Sequence, residues 1–294
     1  MTPRTLTLAD GRRLAWSELG DPGGTPVLAF HGTPACRLLF MPAHEPARLL
    51  GLRLVAPDRP GYGLSDPLPG RTFAGWAADT AALMDHLAIA RAPILAVSGG
   101  SPYAVTTAAC LGPRVSALAL VSPLGEIAHP AIHAKLSRRE RALFLGLPSH
   151  PRVLRRSVQW GRAAFLAAPE LSLLSFVTAL SPADRRVLSA PAARRLVLAM
   201  TREAMRQGIE GVIADLELFS RTWRVDPASI TVPAVLWQGT ADAVVPAGAA
   251  FDLAHRLGNC HVVRLEGHGH FWVVDNVAEV VSAVSGMLAG ARRP

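Results

Sequence analysis

Short apolar runs rich in β-branched residues alternate with longer stretches of helical periodicity through the first 123 residues and again after Ser229. That alternation predicts βαβ units around a mostly parallel sheet, an α/β fold in which the two blocks form one domain. Strands are expected at Pro26–Phe30, Leu52–Ala56, Ile94–Val97, Ala117–Val121, Ala234–Trp237 and His261–Leu265. Helices are expected at Ala43–Leu50, Phe73–Leu87, Tyr103–Leu111, Ala247–Leu257 and Val277–Leu288. Upstream, MTPRTLTLADGRRLAW alternates apolar and polar positions and reads as a strand pair turning at Asp10-Gly11. The interval between the blocks is different. Amphipathic helical patterns recur at Arg138–Leu145, Arg152–Leu166, Leu171–Ala179, Pro191–Gln207 and Glu210–Phe219, with no convincing strand. Residues 126–225 are therefore expected to be a helical insertion into a core made of residues 1–125 and 226–294, ending in a GARRP tail.

The most informative junction is PILAVSGGSPYAV, where a strand stops at Ser-Gly-Gly and a helix opens at once. A nucleophile elbow needs small residues two positions either side of its serine, because the tight turn brings strand and helix backbones together. Ser98 meets that need with Ala96 and Gly100. Ser101 has Tyr103 two residues on, and Pro102 follows it directly. The residue after the nucleophile must donate its backbone N–H to an oxyanion, and proline has none. Ser98 is thus the candidate nucleophile. Pro102 suits the first helical turn, with Ser101 as a candidate cap.

A serine nucleophile needs a base and an orienting acid, which in such a fold follow later at strand ends in the order Ser, Asp/Glu, His. After the strand at 234–237 comes QGTADAVVP, with Asp242 in a loop before a helix. After the strand at 261–265 comes EGHGHFW, which offers His268 and His270. His270 is preferred, since it lies at the far side of the loop where Phe271 and Trp272 can pack beside its ring. A second oxyanion donor is expected from VLAFHGTPACR, whose Gly32–Thr33 segment follows an early strand, so that the Thr33 and Gly99 amides would share the oxyanion. His31 in that loop reads as a holder of the loop rather than a base, with Gly32 and Gly100 giving the backbones room.

The sequence has 294 residues, 50% of them hydrophobic, enough to bury a large core. Its net charge of +8 is concentrated in the middle, where residues 126–226 carry 16 Lys or Arg against 9 Asp or Glu. All but Lys135 of the 30 basic residues are arginines, aromatics make up only 6%, and no nucleic-acid motif accompanies the charge, so no nucleic-acid partner is expected. No 7–15-residue apolar core marks a signal peptide, and no uninterrupted apolar run approaches a membrane span. Cys36, Cys110 and Cys260 are odd in number and widely spaced, fitting a reducing, cytoplasmic setting better than disulfides. His268/His270 and the i, i+4 pair His129/His133 each lack an evident third ligand, so neither metal nor cofactor is expected.

Five motifs in order resemble the α/β-hydrolase superfamily over almost the whole chain: HGTP at 31–34, DRPGYGLSD at 58–66, AVSGGSPYA at 96–104, GTADAVVP at 239–246 and GHGHF at 267–271. The resemblance implies a mostly parallel eight-stranded sheet flanked by helices, with a helical cap after the sixth strand, and Ser98, Asp242 and His270 as nucleophile, acid and base. Ala96 stands where the commonest pattern has glycine. Serine at the elbow disfavours the aspartate chemistry of haloalkane dehalogenases and epoxide hydrolases. A Gly-Gly-Ser elbow like that of proline iminopeptidases would require Ser101, leaving an aminopeptidase a minor reading. The leading expectation is a cofactor-independent serine hydrolase of an ester, thioester or related acyl bond, its small-molecule substrate carrying an apolar acyl or alcohol portion. The insertion's arginines raise the alternative of an anionic group on that substrate. A lyase or cyclase using His270 only as base, and a non-catalytic binding protein, are the other classes compatible with the same residues.

Overall fold

The computed structural model describes residues 2–290. Eight strands form one sheet: β1 (Arg4–Thr7), β2 (Arg13–Gly20), β3 (Thr25–Phe30), β4 (Leu52–Pro57), β5 (Ala92–Val97), β6 (Val115–Val121), β7 (Ala234–Gly239) and β8 (Cys260–Leu265). Their order across the sheet is β1-β2-β4-β3-β5-β6-β7-β8. β1 and β2 run antiparallel to their neighbours, and every pairing from β4 to β8 is parallel. The helices are α1 (His44–Leu49), α2 (Phe73–His86), α3 (Ser101–Leu111), α4 (Pro130–His133), α5 (Arg138–Arg141), α6 (Pro151–Ala167), α7 (Pro169–Thr178), α8 (Pro182–Ser189), α9 (Pro191–Ala204), α10 (Glu210–Phe219), α11 (Ala247–Arg256) and α12 (Trp272–Gly290).

The central strands read as continuous apolar runs because both of their faces are buried. Leu28, Phe30, Ile94, Ala96, Leu118, Leu120 and Leu236 point into a core shared with α2, α3 and α11. Their neighbours Val27, Ala29, Leu95, Val97, Ala119, Val121 and Trp237 point the other way, into a core shared with α1 and α12. The period of two along each strand thus feeds two cores at once. α12 kinks at Asn276. It is long and apolar enough to cross a membrane by length and composition alone, although Asp275, Asn276 and Glu279 interrupt its apolar run. Its Trp272, Val280, Val281 and Val284 are buried in the second core.

Helices α4 to α10 all lie between β6 and β7, with no strand among the described residues of that stretch. Glu126 and Trp223 bring the two ends of the stretch together. One Glu126 oxygen accepts the Trp223 N–H at 2.8 Å and the other accepts Arg256 of α11 at 2.7 Å. Two of these helices escaped the reading of periodicity, α4 and α8. The eight residues of α8 are too few to show a clear stripe, but Ser181 before Pro182, with its hydroxyl accepting the Asp184 N–H, is a helix-start signal in its own right. The helix after the elbow begins at Ser101 rather than Tyr103, and Ser101 is not its cap. A 3-10 turn at Ser98–Gly100 runs directly into α3, and the buried Ser101 hydroxyl has no hydrogen-bond partner among the described residues. Of the expected tail, residues 291–294 lie outside the described residues.

Candidate active site

Four parallel strands end on the same side of the sheet, and each is followed by a loop bearing polar side chains: 31–34 after β3, 98–100 after β5, 240–246 after β7 and 266–271 after β8. The crevice beyond the carboxyl ends of parallel strands is where such sheets bind ligands. Side chains from distant stretches of sequence converge there.

Ser98 takes a positive φ of 53°. A non-glycine residue in that region costs on the order of 1–3 kcal/mol and needs surroundings that enforce it. The enforcement is visible in its neighbours. A Cβ on Gly100 would lie 2.5 Å from the Phe30 carbonyl oxygen and 2.8 Å from that of His31, so α3 can start here only against a bare backbone. A Cβ on Gly32 would lie 3.2 Å from Ser98 Cβ and 3.7 Å from its Oγ, which brings the loop after β3 against the serine.

Ser98 Oγ lies 3.0 Å from His270 Nε2, and His270 Nδ1 lies 2.8 Å from Asp242 Oδ2. A carboxylate can only accept, so Nδ1 carries the proton and Nε2 is left to accept from the serine hydroxyl. The Asp242 side chain has no exposed surface, and His270 and Ser98 are buried as well. Oδ1 of Asp242 accepts the Val244 and Val245 amides at 2.8 and 3.0 Å, and Gln238 Nε2 approaches Oδ2 at 3.2 Å. Burial by itself would raise the Asp242 pKa, but His270 and these amides outweigh it and hold the carboxyl below its usual range. For His270, burial favours the neutral ring, yet the charge and hydrogen bond of Asp242, with a smaller contribution from Asp184, raise its pKa above the ordinary value. The loop that carries His270 is also held by Ser122, after β6, whose hydroxyl donates to the His270 carbonyl at 3.1 Å. The other histidine of the motif, His268, is exposed, and its carbonyl accepts the Ala241 N–H at 2.9 Å.

Thr33 and Gly99 adjoin one another, since a Cβ on Gly99 would sit 2.7 Å from Thr33 Oγ1. His31 is fully buried and holds two loops: its Nε2 accepts the Arg59 N–H at 3.1 Å, which leaves Nδ1 to donate to the Gly32 carbonyl at 2.8 Å. Desolvation first, and the Arg59 charge second, keep its pKa well below the ordinary value and the ring neutral.

Sequence reasoning missed a second polar cluster behind this loop. Asp215, from α10, is wholly buried between Arg59 and Arg71 of the loop after β4. It accepts Arg59 Nη2 at 2.8 Å, Tyr62 Oη at 2.7 Å and Tyr103 Oη at 2.5 Å, and in addition Thr33 Oγ1 and Arg71 Nη2. The DRPGYG motif was the available signal for Arg59 and Tyr62. For Asp215 the available signal was its place on the apolar stripe of α10, three residues from Val212 and Leu218 and four from Phe219. Asp184, on the short helix α8, was missed with it; its side chain accepts the Phe271 N–H, next to His270.

Residues 25–277 match the model of the alpha/beta hydrolase fold family. The chain is 25% identical over 301 residues to an uncharacterized hydrolase of Bacillus subtilis, covering 97% of each chain. It is 29% identical over 277 residues to a non-heme chloroperoxidase of Streptomyces lividans, covering 90% of this chain and 92% of the relative. Among solved structures, an alpha/beta hydrolase fold protein from Nakamurella multipartita superposes with a TM-score of 0.71 at 26% identity, covering 98% of this chain and 99% of its own. Because the family match runs from the first residue of β3 past the loop that follows β8, it takes in every element that the site is built on, and the chain belongs to the α/β-hydrolase family.

Proposed function

We propose that the chain, a hydrolase of the α/β family, cleaves a carboxylic ester, thioester or related acyl bond through a Ser98-His270-Asp242 triad. The observation that carries this reading is the unbroken hydrogen-bonded line from Ser98 Oγ through both nitrogens of His270 to Asp242, at 3.0 and 2.8 Å. His270 Nε2 takes the hydroxyl proton as Oγ attacks the acyl carbon, and the oxyanion that forms is met by the Thr33 and Gly99 amides. The tetrahedral intermediate expels the alcohol or thiol, which receives the proton from His270 and leaves an acyl-Ser98. Water, deprotonated by the same nitrogen, then releases the acid and restores the serine. Asp242 fixes the tautomer and balances the imidazolium in both steps. No cofactor enters this sequence.

The helices between β6 and β7 serve in this reading as a cap that supplies the apolar wall of the site. Phe219 of α10 lies against Gly99, where a Cβ would be 2.8 Å from its ring. Phe271 packs edge-on to His270 at 5.5 Å between centroids and to Phe176 of α7 at 6.0 Å. Aromatic rings beside the reacting atoms favour an apolar acyl or alcohol portion over a charged one.

Hydrolysis of p-nitrophenyl esters of increasing chain length by wild type, Ser98→Ala and Ser101→Ala tests the proposal. Turnover lost in Ser98→Ala and kept in Ser101→Ala is the expected result. Turnover that survives in Ser98→Ala overturns the acyl-enzyme and leaves His270 acting as base alone.

A further inference from the structure

The loop after β3 is too short to fix its own peptide planes. Between Phe30, the last residue of the strand, and Pro34, which has no N–H, the loop offers the amides of His31, Gly32 and Thr33, and it is at Gly32 that it borders Ser98. What orients them is Arg59. Its Nη1 donates to the His31 carbonyl, and its Nη2 donates to the Gly32 carbonyl at 2.8 Å and to Thr33 Oγ1 at 2.9 Å. In a trans peptide the C=O and the following N–H point in opposite directions. With the Gly32 carbonyl drawn to Arg59 and His31 Nδ1, the Thr33 N–H is turned away from them, on the loop whose Gly32 borders Ser98.

An arginine with no exposed surface needs a counter-charge in place, and the only carboxylate paired with it among the described residues is Asp215. Asp215 bonds the same loop directly through Thr33 Oγ1, and it is held from behind by Arg71 and Tyr103. It comes from α10, outside the loops that carry the proposed triad.

We propose that Asp215 is a positioning residue of the reaction: through Arg59 and Thr33 it holds the Gly32–Thr33 peptide with its N–H facing Ser98, so that the oxyanion site is complete only while α10 is docked. The inference rests on the acyl-transfer reading above, and it makes the helices between β6 and β7 part of the catalytic apparatus as well as a wall of the substrate site. A fork is required at position 59, because an ammonium group cannot span two successive carbonyls and a carboxylate in fixed geometry.

The test compares wild type, Asp215→Asn and Arg59→Lys, the last keeping the buried charge and serving alone if Asp215→Asn fails to fold. Three quantities are read: kcat and KM for a p-nitrophenyl ester, inhibition by a trifluoromethyl ketone whose serine adduct carries an oxyanion, and amide exchange of the segment 31–36. The expected result is a fall in kcat of about 10- to 100-fold with KM within about twofold, an equal weakening of the ketone, and faster exchange confined to that segment. A kcat and ketone affinity within about twofold of wild type in folded variants overturns the proposal while leaving the triad intact. Were wild type and Ser98→Ala equally inert, the acyl-transfer reading would fall instead, and exchange at 31–36 would still decide whether Asp215 holds the loop.

Discussion

Asp184 Oδ1 accepts the backbone N–H of Phe271 at 2.7 Å, which fastens a carboxylate of α8 to the residue next to His270. The contact is close on every side: a Cβ on Gly269 would fall 2.2 Å from the same carboxyl group, and Ser181 Oγ donates to its other oxygen at 2.9 Å. The loop that carries His270 is therefore held from the sheet by Ser122 and from the helices beyond β6 by Asp184. Asp184→Asn keeps the acceptor and removes the charge that helps to raise the His270 pKa. Its acid limb in a pH–rate profile should move to lower pH than that of wild type, with little loss of stability. Asp184→Ala orphans a buried N–H and should cost about 1–3 kcal/mol in a denaturant titration.

If His270 is the base of the proposed reaction, its raised pKa sets the pH dependence of turnover. The proposed ester hydrolysis requires the neutral ring, so the acid limb of kcat/KM should have its midpoint above about 6.5, the ordinary imidazole value. Because the folded protein holds this proton more tightly than the unfolded chain, the linked stabilisation is present below the unfolded pKa and is lost as pH rises through the folded one. Asp242→Asn removes the main source of the shift. The midpoint should then fall, and kcat should drop by about 10³–10⁴-fold through loss of the correct tautomer. An acid limb that stays in place in this variant would sever His270 from Asp242.

Gly99 and Gly100 should respond differently to alanine although they are adjacent. At Gly100 the new Cβ meets two backbone carbonyls of β3 and its loop, which cannot move without shifting the sheet. At Gly99 it meets the ends of two side chains, Thr33 and Phe219. Gly100→Ala should be destabilised by about 3 kcal/mol or more, beyond the usual range of overpacking, and Gly99→Ala by about 1–3 kcal/mol with a loss of activity out of proportion to it. Melting temperatures set beside kcat separate the two effects.

Glu126 touches none of the reacting groups, yet it joins both ends of the stretch between β6 and β7 to α11. Glu126→Ala leaves the Trp223 N–H without its acceptor, while Arg256, partly exposed, keeps Asp252 at 3.7 Å, so the substitution should cost about 1–3 kcal/mol. Activity measured well below the melting temperature should stay within about twofold of wild type. A large fall in kcat with stability unchanged would give Glu126 a role in catalysis instead.

The sequence by itself determined most of the sheet. The six strands read from apolar runs correspond to β3 through β8, with boundaries differing by two residues or fewer; β3 to β7 are buried on both faces and leave a strong local signal that survives any choice of partner, while β8, a partly exposed edge strand, is marked by its paired valines between turn residues. It also determined which residues converge at the strand ends, since the need for small neighbours and a free N–H at an elbow is a local constraint, and it separated Ser98 from Ser101 without reference to anything distant. The tertiary structure alone decided what holds those residues in place. Asp184 is a carboxylate on a polar helix too short to register as periodic, and Asp215 lies on the apolar stripe of α10 with Val212, Leu218 and Phe219, where the sequence shows an isolated charge but not its partners. Their burial against Phe271, and against Arg59 and Arg71, is a contact over 87, 156 and 144 residues of sequence. Such pairings depend on how the helices dock on the sheet, and neither propensity nor spacing encodes that docking.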